Sequence, residues 1–311
     1  MGLQDDYVKY PMMQYGMDHY RYPWSMLADR SPVRWPNGAM LAFTLHIHIQ
    51  HFPLNQKGIP LKVPGGMTMP YPDLRHYSLR DYGNRVGIYR ILKTIDRYQM
   101  RPTFSVNAQI CQMYPYLMKR LFDRDAEIIA HGWNMDSLHC EGMSEKEERE
   151  LIGNTLNVLN KSTPMKIKGW LSPAGMESFR TPDIVGEMGV EYLCDWVNDD
   201  LPYYFNTQSG ELIAYPVSQE LDDYMIIMNN SHSEASFVDQ CIDAINFLIN
   251  EGSQQGGRLL TISVHPWIMG HAHRITFLEV LFSYILSRKE IWMAHPCEVI
   301  EVWKRQNKSH R

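Results

Sequence analysis

Between Ala39 and His51 the chain reads Ala-Met-Leu-Ala-Phe-Thr-Leu-His-Ile-His-Ile-Gln-His, an apolar run whose second half carries a histidine at every other position. Residues two apart in a strand share a face, so His46 and His48 are expected to project side by side. Downstream, apolar residues recur with a helical period at Ile88, Ile91, Leu92 and Ile95, which predicts a helix over 84–98. Arg101–Asn107 then reads as a strand, 114–123 as a helix, and Glu127–His131 as a short strand ending in histidine. Ser144 and Glu147 have capping-box spacing and open a helix with Leu151, Ile152, Thr155, Leu156 and Leu159 along one side. Strands are predicted at 166–171, 191–195, 212–216 and 225–228. A helix follows over 235–250, then the strand Leu259–His265, again ending in histidine, and a helix over 274–288.

Strands alternating with helices at this spacing predict an α/β fold with a parallel sheet, and seven or eight units predict closure into a single distorted (β/α)7–8 barrel over 39–305. Residues 1–38 are rich in aromatics, Met and Pro without a period, so they are expected to wrap the domain or a neighbouring subunit. The Pro/Gly-rich stretch 52–82 reads as a long loop, expected as a lid or binding loop, or else an oligomer contact.

Composition narrows the function. The chain has 311 residues, is 44% hydrophobic and carries a net charge of −5, which supports a large core and gives no reason to expect nucleic acid or membrane as partners. It shows no leader-like segment, so the cytoplasm is the expected compartment. Five scattered cysteines without CxxC spacing argue against a disulfide framework or a thiolate zinc site. In barrels of this kind the chemistry sits at the C-terminal strand ends, and His46, His48, His131, Asp195 and His265 all fall there. Each alone has a plain structural reading as a satisfied core residue. Five at equivalent positions predict a catalytic site.

The ordered series Trp35-Pro-Asn-Gly-Ala39, His46-Ile-His48, His131-Gly-Trp-Asn-Met135, Ser172-Pro-Ala-Gly175, Asp195-Trp-Val-Asn-Asp-Asp-Leu-Pro-Tyr203 and His265-Pro-Trp-Ile-Met-Gly-His-Ala-His-Arg274 resembles the polysaccharide deacetylase (NodB-like, carbohydrate esterase 4) superfamily. It is most similar to the cytoplasmic branch that includes metal-independent allantoinases and cyclic imidases. The resemblance implies a distorted NodB-like barrel, hydrolysis of an amide-type C–N bond, and a homo-oligomer. The sequence also departs from the pattern. His46 and His48 stand where metal-dependent members have two aspartates, Met135 replaces the second histidine of the second motif, and Leu171 replaces the arginine of the third.

Two mechanisms follow. In one, His46, His48 and His131 hold a divalent metal such as zinc, with a position open for water. In the other there is no metal, a histidine is the base or proton shuttle, and main-chain donors hold the oxyanion. His265 is expected as general acid to the leaving nitrogen, with Asp195 orienting it or binding substrate. Trp133 and Trp267 are expected as apolar walls, Arg274 as a carboxylate or carbonyl clamp, and Asp200 and the Pro173 turn as further substrate contacts. The function expected is hydrolysis of a small linear or cyclic amide, whether ureide, imide or N-acyl compound. The alternatives are a catalytically inactive binding or assembly protein and a metal-dependent sugar N-deacetylase.

Overall fold

A computed structural model describes residues 19–23, 25–56, 74–140 and 142–307. Most of the loop expected at 52–82, and residues 1–18 of the wrapping segment, lie outside those residues. Strand β1 (Leu41–Ile49) is buried along its whole length in a nine-stranded curled sheet. It pairs in parallel with β2 (Pro102–Val106), β8 (Arg258–Val264) and β9 (Ile291–Met293). Beyond β2 run β3 (Glu127–Ala130), β4 (Gly169–Trp170), β5 (Tyr192–Leu193) and β7 (Gly210–Ala214), all parallel. The sheet is the distorted NodB-like barrel expected, with one antiparallel addition: β6 (Tyr203–Thr207) returns as a hairpin on β7.

Alternation along β1 divides two cores. Leu41, Phe43, Leu45, Ile47 and Ile49 face the outer helices, where they pack with Ile88, Ile91 and Ile95 of α2 (Ile88–Tyr98), Cys241 and Ile245 of α7 (Glu234–Gln255), and Leu278 and Phe282 of α9 (Ile275–Ser287). The in-between residues Ala42, Thr44, His46 and His48 face the barrel interior. There an inner apolar cluster of Ala42, Ile129, Tyr192, Ile213, Tyr215 and Leu259 is plugged from below by Trp35, Ile300 and Trp303, the last two from α10 (Pro296–Gln306). Helices α1 (Leu74–Tyr82), α3 (Ala108–Met113), α4 (Pro115–Phe122), α5 (Glu145–Ser162), α6 (Thr181–Glu187) and the short α8 (Pro266–Met269) complete the outer layer. The capping box at Ser144 and Glu147 forms as the sequence implied.

Three local expectations change. The run 225–228, apolar enough to read as a strand, lies inside a π-helical turn, Tyr224–Asn229, because the chain there must carry the edge of the barrel over to α7. The strand expected at 166–171 shrinks to Gly169–Trp170. The helix expected at 84–98 begins as a π-helix, Gly83–Gly87, continuous with α1. At Gly87 a side chain would meet the Pro266 carbonyl, so the absence of a Cβ lets this turn press against α8 and the residue after His265.

The circle is not closed by strand pairing alone. After β7 the segment 216–222 lies along the second half of β8: Thr261 Oγ1 donates to the Pro216 carbonyl at 3.2 Å, and Ser263 N donates to the Leu221 carbonyl at 3.3 Å. Asp222 is thereby held beside Ser263. In the described part of the N-terminal segment, Arg21 pairs with Asp183 at 2.7 Å and Trp35 Nε1 donates to the Arg258 carbonyl at 2.8 Å.

Candidate functional site

Above the inner apolar cluster the barrel opens into a cavity of about 310 Å³. His48, His131 and His265 form its floor, Asp195, Leu171 and Met135 one side, Asp222 and Ser263 another, and Phe52, Arg80 and Trp267 the rim. The three histidines arrive at the C-terminal ends of parallel strands: β1 and β8 are neighbours, and β3 lies one strand away beyond β2. His48 stacks on His265 with ring centroids 4.6 Å apart, and lies 5.5 Å from His131.

Two of these rings are fixed through Nδ1. His131 Nδ1 lies 2.9 Å from the Leu171 carbonyl and acts as the donor there, which leaves Nε2 an acceptor opposite Gln50 Nε2 at 3.3 Å. His265 Nδ1 lies 2.6 Å from Asp223 Oδ1, and the same carboxylate accepts the His265 backbone N–H through Oδ2 at 2.8 Å. Asp223 is fully buried, so a two-point grip sets the ring of His265 and leaves Nε2 as its free nitrogen on the cavity. Asp222, the residue before it, lies 3.6 Å from His265 Nδ1 and 3.8 Å from His48 Nε2.

Burial sorts the charges. Desolvation, aided by the neighbouring rings His265, His131 and His46, holds His48 well below the usual imidazole range, and desolvation takes His131 down to about 4. For His265 burial pulls downward, but Asp222 and Asp223 outweigh it and the net shift is upward. Asp222 is pushed up to about 6 by burial and by Asp223. On the opposite wall burial lifts Asp195 to about 6, although Ser172 donates to it twice, from N at 2.6 Å and from Oγ at 2.7 Å. Beside it Glu177, buried and next to Asp195, is pushed up to about 9 and accepts from Trp196 Nε1 at 2.8 Å.

The sequence-derived residues separate into two groups. His48, His131, His265, Asp195 and Trp267 all line the cavity. His46 shares the face of His48 but sits one pleat deeper, fully buried and stacked near Tyr215, so burial drops it to about 3 and it does not reach the cavity. Trp133 packs half-buried against the outer core. Pro173 is buried, and it is the following Ala174 and Gly175 that line the cavity. Arg274 pairs with Glu234 at 2.6 Å outside the cavity. Asp200 accepts the Leu259 N–H with its carbonyl near the start of β8, at the opposite end of the barrel.

The metal triad His46, His48 and His131 is not brought together. Among the described residues, the set whose donor atoms all lie within 4.8 Å of one another is His48, Asp222 and His265. Asp222 and Asp223 escaped sequence reading because they precede an apolar run taken for a strand. The one available signal was an Asp-Asp pair between the strands predicted at 212–216 and 225–228, where a buried histidine would find its orienting carboxylate.

Comparison with known proteins agrees with this architecture. Residues 77–193 match the polysaccharide deacetylase family model. A putative polysaccharide deacetylase of Schizosaccharomyces pombe is 22% identical over 308 residues, covering 90% of this chain and 94% of the relative. The crystal structure of Puue allantoinase superposes with a TM-score of 0.83 at 22% identity, over 93% of this chain and all of the other. A probable polysaccharide deacetylase from Pseudomonas aeruginosa PAO1 does so at 0.79 and 23%, with the same coverage. No helix among the described residues is long and apolar enough to cross a membrane. Residues 77–193 thus resemble the polysaccharide deacetylase family, and the barrel as a whole has the fold of an allantoinase and of a probable polysaccharide deacetylase.

Proposed function

We propose that the protein hydrolyses a non-peptide amide-type C–N bond in a small linear or cyclic amide, such as a ureide, an imide or an N-acyl compound. The observation that carries this reading is the 2.6 Å bond between His265 Nδ1 and the buried Asp223 at the floor of the cavity. A histidine so oriented keeps one nitrogen for substrate and is held toward its charged form, which is what protonation of a poor nitrogen leaving group requires. Asp222, pushed up to about 6, is the matching acceptor: it takes a proton from water as the new C–O bond forms. His265 Nε2 gives its proton to the departing nitrogen as the C–N bond breaks. Asp222 approaches the His265 ring at Nδ1, which Asp223 holds, so its proton returns to Nε2 through solvent entering the cavity after product leaves. Trp267 and Phe52 wall the cavity for a compact, flat substrate, and Arg80, 4.3 Å over the Phe52 ring, gives the rim a cation.

A second reading rests on the cluster His48, Asp222 and His265. Their donor atoms are close enough to hold one divalent ion, and the Asp223 bond to His265 Nδ1 is the outer partner that metal-bound histidines use. An ion bound there supplies Lewis-acid polarisation of the scissile carbonyl and a more acidic water. In that case His265 Nε2 is a ligand and not a proton donor.

Turnover of ureides, cyclic imides, N-acyl amino acids and chito-oligosaccharides by the purified protein tests the proposal, before and after dialysis against a chelator. Activity that survives chelation and vanishes in His265→Ala supports the proton-transfer reading. Activity lost on chelation and restored by zinc supports the second. Binding without turnover throughout the panel refutes hydrolysis.

A further inference from the structure

Beneath the cavity floor the interior face of the barrel carries polar side chains whose hydrogen bonds go unmade within the protein. Register places Thr103 of β2 and Ser263 of β8 on either side of His46, and Ser105 of β2 beside His48. All five are buried, with exposures of 0–5%. Both ring nitrogens of His46, Nδ1 of His48, and the hydroxyls of Thr103, Ser105 and Ser263 have no hydrogen-bond partner. Buried polar groups in folded proteins are paired almost without exception, so six orphans on two successive pleats of one interior face call for a partner that is not protein.

The layer below shows that this is local. There Thr44 and Thr261, also register partners, bond each other at 3.0 Å, Tyr215 donates to Thr44 at 3.1 Å, and Thr261 donates to the Pro216 carbonyl at 3.2 Å. The same strands, one pleat apart, close one polar layer directly and leave the next open. In the open region Thr103 and Ser263 flank His46 and Ser105 flanks His48, and none of these hydroxyls bonds a ring nitrogen. A site lined by several donors and acceptors, and too polar to stay empty, is what internal water occupies.

The geometry points to a built water site inside the barrel, in which one or more ordered waters bridge His46, Thr103, Ser105 and Ser263 to Nδ1 of His48. Through that water His46 is a positioning residue. It never touches the cavity, but it supplies the bond that holds the His48 ring with Nε2 toward Asp222. A hydrogen bond at one imidazole nitrogen selects which nitrogen carries the proton. His48 would otherwise be the one floor histidine with Nδ1 unsecured, since His131 has the Leu171 carbonyl and His265 has Asp223. The inference stands whether or not the protein hydrolyses amides.

A high-resolution crystal structure and ring-nitrogen NMR together test it. The crystal structure is expected to show density within hydrogen-bond distance of His48 Nδ1, His46 and at least one of the three hydroxyls. Long-range proton–nitrogen correlation spectra are expected to show one dominant His48 tautomer in the wild type. The Ser105→Ala/Ser263→Ala double variant, which changes shape very little, is expected to shift the His48 ring-nitrogen resonances. Thr261→Val, which breaks the directly bonded layer, is expected to leave them in place. A dry interior with the hydroxyls turned onto strand carbonyls, unmoved His48 resonances in the double variant, or an equal shift in Thr261→Val would each overturn the proposal.

Discussion

The histidine floor and the acidic wall of the cavity are both buried, yet burial drives them in opposite directions. His131 on the floor and His46 one pleat beneath it are pulled down to about 4 and about 3, so they stay neutral. Asp195 on the wall and Glu177 next to it are pushed up to about 6 and about 9, so they tend to keep or share a proton. Desolvation opposes charge of either sign, which makes the cavity far less charged than its residue types suggest. The exception sits where the two regions meet. His265, gripped by Asp223, is the floor histidine whose affinity for a proton rises, and it is the group assigned the proton transfer.

The sharpest way to break this contrast is to remove its exception. Asp223→Asn keeps shape but takes away the charge that holds His265, and kcat is expected to fall by about 10²–10⁴-fold, the usual contribution of a positioned acid or base. Steady-state rates on whichever amide is turned over read this directly, while an unchanged rate removes the dyad from the mechanism.

The next effect is on stability at alkaline pH. Glu177 has its folded value raised above the ordinary 4.5 to about 9, so its contribution is full below 4.5 and is lost as pH climbs through 9. Glu177→Gln is therefore expected to flatten the loss of stability over that window by up to about 1.4 kcal/mol per pH unit. Urea midpoints of both proteins at pH 5, 7 and 9 check this, and parallel curves would count against it.

His46 has the opposite sign over a narrower window. Its folded value lies below the ordinary 6.5, so its contribution is full above 6.5 and is lost as pH falls toward 3. His46→Leu should flatten the acid side of the stability curve with the same limiting slope, about 1.4 kcal/mol per pH unit. Thermal melts between pH 7 and 4 measure it. The smallest effect belongs to the closed polar layer: Tyr215→Phe removes one buried hydrogen bond to Thr44 and is expected to cost about 1 kcal/mol, equally at each pH. A cost that varied with pH would tie that layer to the floor.

Much of this was legible in the sequence where periodicity and position coincide. The alternation of apolar runs gave the barrel, and histidines at the ends of β1, β3 and β8 gave the floor, because a parallel sheet brings its C-terminal ends to one rim. His46 misled as a ligand because a strand pattern reports the shared face and not depth. Two residues along a strand are roughly 6.6 Å, enough to move a ring from the cavity into the core. Asp222 and Asp223 were hidden by the apolar run Met225–Met228, which satisfies a strand pattern as well as a buried π-helical turn. Arg80 and Phe52 reach the rim from segments far apart in sequence, and nothing local to either announces the meeting.

Both aspartates lie where the barrel is fastened by a segment and not by a full strand ladder. Two hydrogen bonds, at 3.2 and 3.3 Å, hold the stretch 216–222 against β8. Breathing of the wall there, which would cost far less than unzipping β1 from its neighbours, would separate Asp222 and Asp223 from His265 while leaving the strand ladders intact. The catalytic power of the proposed site and the kinetic lability of its seam are in this sense one property, and amide hydrogen exchange at Ser263 reports both.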